Sequence, residues 1–198
     1  MTPLCKLAFK YGTDKCPEIK HPYTPFYYDL LKDKKKSIKK VLEIGIGYYD
    51  GIDKKDIIYD PILKRDYHRG ASLKMWRDFF PNATIYGIDS RREAIFQDER
   101  IVTLPCDVRK ETHLNYMIRK VGSDVDLVID DGIHRRIRQV AVCKALMPHL
   151  RNDVIYIIED CRDTASAIND LKENYDCYSP KLINNKRNEN LVVVKHKQ

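Results

Sequence analysis

The chain has no apolar run long enough to cross a bilayer, and charges interrupt its first residues, MTPLCKLAFKYGTDK, where a secretory signal would place its apolar stretch. Membrane insertion and secretion are disfavoured, and a cytoplasmic protein with no membrane span is expected. Close cysteine pairs are also missing. The six cysteines, at 5, 16, 106, 143, 161 and 177, are too scattered for a zinc knuckle or a CxxC redox site, so they read as free, reduced thiols. Nothing in the glycine or proline content suggests a collagen-like or low-complexity chain, and no repeat or linker interrupts it. The glycines at 45 and 47 are followed by no Lys-Ser/Thr pair, which excludes a phosphate-binding P-loop. The stretch GIGYYD at 45–50 also lacks the third glycine of a dinucleotide fingerprint, which argues against a nicotinamide-dependent dehydrogenase.

What remains is a chain of 198 residues, 43% hydrophobic and 33% charged, which is enough for one well-buried core and short for two. A single domain over 1–198 is expected. The formal charge of +7 would help attract an anionic partner. Its basic residues are dispersed, however, except at 32–40, 91–92 and 135–138, and the lysine-rich first run reads as a solvated helix end rather than a nucleic-acid track. No stripe of aromatic and basic residues accompanies them, so nucleic acid is disfavoured as a partner.

Hydrophobic patterning predicts a helix over 22–32, short apolar strands at 41–45, 84–88, 101–105, 126–129 and 154–158, and helices over 71–80 and 135–150. Short apolar runs separated by charged, helix-capable sequence are the βαβ rhythm of a parallel sheet covered on both faces. At the end, 175–179 and 191–194 flank a polar turn and predict an antiparallel hairpin at the sheet edge. Residues 48–69 fit neither period and read as a long inserted loop.

In such a sheet, ligands bind beyond the carboxyl ends of the strands, where strand order reverses. The first strand ends in LEIGIG, whose Gly45 and Gly47 read either as a close approach to a ligand or as a simple tight turn. The second ends in Asp89, followed by Ser90; an acid there can accept both hydroxyls of a ribose. Asp107 after the third suits an adenine amino group or a helix cap equally. Later strand ends read DDGIH at 130–134 and IED at 158–160. Acids crowded in a cleft repel one another without a cation, and their oxygens suit hard divalent ions, so Asp131, Glu159 and Asp160 form a candidate Mg²⁺ site. His134 reads as a general base, or as a histidine bonded to backbone.

At these residues the chain resembles the metal-dependent sugar O-methyltransferases of class I fold, typified by the macrolide-sugar enzymes of the macrocin and mycinamicin pathways. The likeness runs through YGTDK at 11–15, His21 with YTPFY at 23–27, VLEIG at 41–45, the long stretch at 70–89, DDGIH and IED. It implies a Rossmann-like fold with a mostly parallel seven-stranded sheet, and S-adenosylmethionine and Mg²⁺ as cofactors. Glu43, Gly45, Gly47 and Ser72 would then lie near the methionine portion, Asp89 and Ser90 at the ribose, and Asp107 near the adenine, with Asp130 also on the cofactor side. Asp131, Glu159 and Asp160 match the metal ligands, and His134, acting with Asp131 as the catalytic pair, matches the base. Residues 1–35 would cap cofactor and acceptor, with Tyr11, Asp14, Lys15, His21 and Tyr27 as further candidates. The implied acceptor is a sugar hydroxyl on a glycan or glycosylated small molecule. A ribose hydroxyl of nucleic acid and a non-catalytic cofactor-binding relative are the alternatives, and a homo-oligomer is left open. The chain departs from the family at Ile133, where a serine hydroxyl is usual on the acceptor side, at Asn152-Asp153, and at CRDTASA over 161–167.

Overall fold

Valine, isoleucine and leucine in runs of four or five, each stopped by glycine or an acid, build the sheet. The computed structural model describes residues 1–47, 57–60, 65–183, 185 and 190–198. Five parallel strands form its centre: β1 (Lys40–Ile44), β4 (Thr84–Asp89), β6 (Ile101–Pro105), β7 (Leu127–Asp130) and β8 (Ile155–Cys161). The edge hairpin is β9 (Tyr175–Tyr178) and β10 (Asn190–His196), with β10 antiparallel to both β8 and β9. All seven expected strands are thus present. A two-residue strand, β5 (Gln97–Asp98), pairs antiparallel with β6 and makes an eighth, in the order β5-β6-β4-β1-β7-β8-β10-β9.

The chain leaves β1 for β4 on one side and returns to β7 on the other, so strand order reverses between β1 and β7. Gly45 stands at that junction with φ of 81°. A β-carbon there would lie 2.4 Å from the Asp131 carbonyl oxygen, so only glycine lets the two strand ends close together.

Alternation along the strands divides the core in two. Val41, Ile85, Leu127, Ile129 and Ile157 face α1 (Pro3–Tyr11), α2 (Tyr23–Leu31) and α3 (Ala71–Phe79), where Trp76 packs edge-on against Tyr27 with ring centroids 5.2 Å apart. Leu42, Ile44, Val128, Tyr156 and Ile158 face the other way, toward α4 (Glu111–Val121), α5 (Arg136–Leu146) and α6 (Thr164–Leu171). Helix α1 was not expected from the sequence, although its punctuation is there: Thr2 caps it by accepting the Cys5 N–H at 3.1 Å, Pro3 opens it, and Gly12 ends it with φ of 81°.

Within the expected 48–69 loop, β2 (Ile57–Asp60) and β3 (Arg65–His68) pair as an antiparallel hairpin. Their isoleucine and tyrosine content favours strands, but interleaved charges hide the alternation. The remainder of that segment, 48–56 and 61–64, lies outside the described residues. Among the described residues, no helix is long and apolar enough to cross a membrane.

Candidate functional site

Two adjoining cavities open at the β1/β7 reversal. One, of about 330 Å³, is lined by Glu43, Gly45, Gly47, Ser72, Asp89, Asp131, His134, Glu159 and Asp160 together with Asp14, Lys15, Lys20 and His21 from the N-terminal segment. The other, of about 220 Å³, is lined by Asp89, Ser90, Asp107, Val108 and Ile133, among others. Gly45, Asp89 and Gly132 border both, so the two make one bent trough with Asp89 at the elbow.

The acids reach this trough by a break in the regular pleat. Consecutive strand residues normally face opposite sides of a sheet. Glu159 and Asp160 nevertheless line the same cavity. Between Ile158 and Cys161, three residue steps of β8 oppose two of β10, and Asp160 takes a left-handed φ of 52°. This bulge re-aims the Asp160 side chain. A non-glycine residue in that conformation is strained, and such strain is characteristic of functional positions.

Hydroxyls from α2 secure both acids. Tyr23 and Tyr27, four residues apart on one helix face, donate to Asp160 Oδ1 and, at 2.5 Å, to Glu159 Oε1. Burial and the neighbouring carboxylates push both phenols above their usual range, so they remain donors. The His21 ring stacks on Tyr23 at 4.9 Å, with Nε2 at 3.5 Å from Asp14 and 3.8 Å from Asp160. Although burial opposes it, Asp14 is held well below the carboxylate range by His21 and by Lys15 and Lys20.

Lys15 is fully buried. Its Nζ donates to Asp131 Oδ2 at 2.5 Å and to Glu159 Oε2, and lies 3.7 Å from Glu43 Oε1. Burial alone would discharge it, but these carboxylates hold its proton affinity well above normal. Asp131 is lowered against its burial by Lys15 and by the hydrogen bond to His134. Burial lifts Glu159 well above its ordinary value.

His134 Nε2 lies 3.1 Å from Asp131 Oδ1 and Nδ1 lies 3.4 Å from Asp160 Oδ2. The hydrogen bond to Asp131 raises its proton affinity. Ligand atoms of Asp131, His134 and Asp160 all lie within 4.8 Å of one another. Of the expected Asp131, Glu159 and Asp160, this trio contains Asp131 and Asp160, while the Glu159 oxygens accept from Tyr27 and Lys15. Glu43 is pushed up to about 7, first by burial; Lys15, Ser72 and Trp76 favour its ionised form, yet neither of its oxygens has a well-formed hydrogen bond.

At the second cavity, Asp107 takes Arg109 Nε and a terminal nitrogen at 2.7 and 2.8 Å, and this pairing pulls its carboxyl down to about 2. Asp89 Oδ1 accepts the Arg91 N–H at 2.9 Å. Three expected positions differ. Asp130 lies beneath the trough, bonded to the Tyr156 hydroxyl at 2.7 Å, and burial raises it to about 6. Tyr11 donates to Asp78 at 2.5 Å and ties α1 to α3, outside either cavity. Ile133 lines the second cavity beside Asp107, not the acid cluster. Tyr23 was missed; its spacing from Tyr27 on one helix face was the available signal.

Among curated proteins, the chain is 34% identical over 157 residues to the mycinamicin VI 2''-O-methyltransferase of Micromonospora griseorubida, a match that takes in 79% of this chain and 35% of that protein. It is 31% identical over 169 residues to the L-olivosyl-oleandolide 3-O-methyltransferase of Streptomyces antibioticus, covering 80% and 37%. The chain thus spans little more than a third of these curated relatives. Among solved structures, the MycE methyltransferase from the mycinamycin biosynthetic pathway, in complex with Mg and SAH, superposes with a TM-score of 0.75 at 26% identity over 98% of this chain and 55% of that one. No protein-family model matches.

Proposed function

We propose that this chain, similar to the mycinamicin-type enzymes, is a class I S-adenosylmethionine-dependent sugar O-methyltransferase that moves a methyl group from S-adenosylmethionine to a sugar hydroxyl with the help of a divalent cation. The observation that carries the reading is the bent trough, which joins a nucleoside-sized pocket at Asp89 and Asp107 to an acid cluster beside His134.

The residues present fit both cofactors. Glu43 lines the trough with two buried oxygens that have no well-formed hydrogen bond, acceptors for the ammonium of the methionine portion. Gly45 and Gly47 let the backbone approach that portion, with Ser72 across from them. Asp89 accepts the ribose hydroxyls beside Ser90, while Asp107 accepts from the adenine amino group once Arg109 turns aside. Asp131, Glu159 and Asp160 would offer hard oxygens to Mg²⁺. Bound there, the ion would make a vicinal sugar hydroxyl more acidic.

His134 holds a nitrogen at the mouth of the cluster, between two carboxylates that raise its proton affinity, and takes the proton of the reacting hydroxyl. Bound in the trough, S-adenosylmethionine would supply an electrophilic sulfonium methyl to that oxygen and would leave as S-adenosylhomocysteine. The chain's main contribution is alignment of the two reactants. Lys15, His21, Tyr23 and Tyr27 pack against the acids, which supports 1–35 as a cap on one catalytic domain over 1–198. The partner is a sugar or glycan acceptor. Cytoplasmic placement is part of the reading, supported by six free cysteines, five of them buried.

Calorimetric titration with S-adenosylmethionine in Mg²⁺, followed by mass analysis of a panel of glycosylated acceptors and of RNA, tests it. One cofactor site per chain and a 14-dalton gain on a sugar acceptor, about the mass of one CH₂, are expected. Absence of cofactor binding by folded protein refutes the proposal, and methylation of RNA alone transfers it to the nucleic-acid alternative.

A further inference from the structure

Gln139 on α5 is 2% exposed, and it is the only buried asparagine or glutamine among the described residues. An amide in the interior is costly unless it is bonded. Its Nε2 donates at 2.7 Å to the backbone carbonyl oxygen of Glu159, across the space between α5 and β8. That carbonyl needs a partner from outside the ladder. Strand β8 registers with β7 as far as Ile158 and with β10 at Ile158 and Cys161, so among the described residues Glu159 and Asp160 have no register partner in either neighbour.

The Glu159 carbonyl and the Asp160 N–H belong to one planar peptide unit. Rotation of that unit changes ψ of Glu159 and φ of Asp160 together, so a donor fixed on the carbonyl also fixes the left-handed φ of 52° at Asp160. The strain there would otherwise favour a flip of the peptide, which would turn the Asp160 side chain away from the cavity. Tyr23 holds the Asp160 carboxylate, whereas Gln139 holds the backbone beneath it. The same bond sets the start of α5 against β8, where His134 Nδ1 meets Asp160 Oδ2 at 3.4 Å.

We propose that Gln139 is a positioning residue for the metal site: its amide pins the Glu159–Asp160 peptide in the bulged conformation and so presents both acids, with Asp131, to the divalent ion beside His134. The inference rests on the reading that these three acids hold a divalent cation. Gln139 lines neither cavity and acts through the peptide that it holds. Loss of the amide leaves a buried carbonyl without its donor and frees the strained peptide to relax, so the acids lose their preset geometry before any ion arrives.

The experiment compares native protein with Gln139→Met, which keeps the side-chain length and removes the donor, by calorimetric titration with Mg²⁺ alone, by titration with S-adenosylmethionine and by thermal unfolding in chelator. Mg²⁺ should bind the variant about 10–100-fold more weakly, while S-adenosylmethionine affinity stays within about twofold. The midpoint should fall by about 3–8 °C. Leu146→Ala is the control: fully buried on the same helix and lining neither cavity, it should lower the midpoint at least as far and leave Mg²⁺ affinity native. Gln139→Asn keeps the amide but draws it back by a methylene, and should lose Mg²⁺ affinity as well. Native Mg²⁺ affinity in Gln139→Met would overturn the proposal, as would an equal loss in Leu146→Ala, since either result reduces Gln139 to packing. If Gln139→Met does not fold, Gln139→Asn decides: native Mg²⁺ affinity there overturns the proposal. Native protein that binds no Mg²⁺ sinks the divalent-cation reading and this inference with it, whereas native binding with an unaltered Gln139→Met sinks only the role of Gln139.

Discussion

Replacing Gly45 with alanine tests whether the junction of β1 and β7 is built as closely as the trough requires. The added β-carbon would meet the Asp131 carbonyl oxygen at 2.4 Å, Gly132 Cα at 2.6 Å and the Asp131 carbonyl carbon at 2.8 Å. All three are backbone atoms, so no change of rotamer relieves the contact. The left-handed φ of 81° adds about 1–2 kcal/mol for any residue with a β-carbon. Moving the strand ends apart weakens the Asp131 N–H to Ile44 carbonyl bond, now 2.9 Å, worth about 1 kcal/mol net. Together these cost about 2–3 kcal/mol, or about 4–12 °C in midpoint for a chain of this size. Because Gly45 borders both cavities, S-adenosylmethionine binding should weaken at least about tenfold. Gly122→Ala is the control: it also has a left-handed φ, of 89°, and its β-carbon meets Asp124 Oδ1 at 2.7 Å, but it lines neither cavity, so it should lower the midpoint and spare binding. Thermal unfolding and calorimetric titration of both variants provide the comparison. A Gly45→Ala protein with native midpoint and native cofactor affinity would show that the junction is looser than this geometry and refute the reasoning.

His134→Ala should abolish turnover while leaving S-adenosylmethionine affinity within about twofold; retained turnover in a mass-spectrometric assay would dismiss His134 as the base. Asp89→Ala should weaken cofactor binding by about 10–100-fold through loss of the ribose acceptor, and calorimetry that found native affinity would remove Asp89 from the site. Tyr27→Phe leaves a buried Glu159 oxygen without its donor at 2.5 Å, so stability should fall by about 1–3 kcal/mol, read from denaturant unfolding; an unchanged midpoint would mean that the bond contributes nothing. Burial pushes the Cys16 thiol up to about 12 and the Cys106 thiol up to about 11, so neither should react with a thiol-alkylating reagent at neutral pH until the protein is unfolded. Labelling of either in native protein, located by peptide mass mapping, would contradict the buried placement.

The central sheet was legible because each strand is a short apolar run with a polar stop, a pattern that survives without any knowledge of neighbours. VLEI ahead of Gly45 and DLVI ahead of Asp130 needed only period and punctuation. Helix α1 carries its signals in Thr2, Pro3 and Gly12, but nine residues with two lysines give too short an apolar period to stand out. Among the described residues, strands β2 and β3 pair only with each other, outside the main sheet whose apolar runs were legible.

The acid cluster was half legible, and the illegible half is three-dimensional. That DDG and IED converge follows from parallel strands ending on one edge. That Glu159 and Asp160 both face the cavity does not follow, because regular pleating would send one of them to the other face; the extra residue in β8 and the left-handed Asp160 supply the turn. Spacing along the chain also gives no hint that Lys15, more than a hundred residues before Asp131, enters between Asp131 and Glu159. Sequence chemistry asks only that clustered acids find positive charge, and a divalent ion is the nearest answer. The fold adds a second positive charge from the chain itself, so a lysine that the sequence offered only as part of a cap stands among the acids of the site.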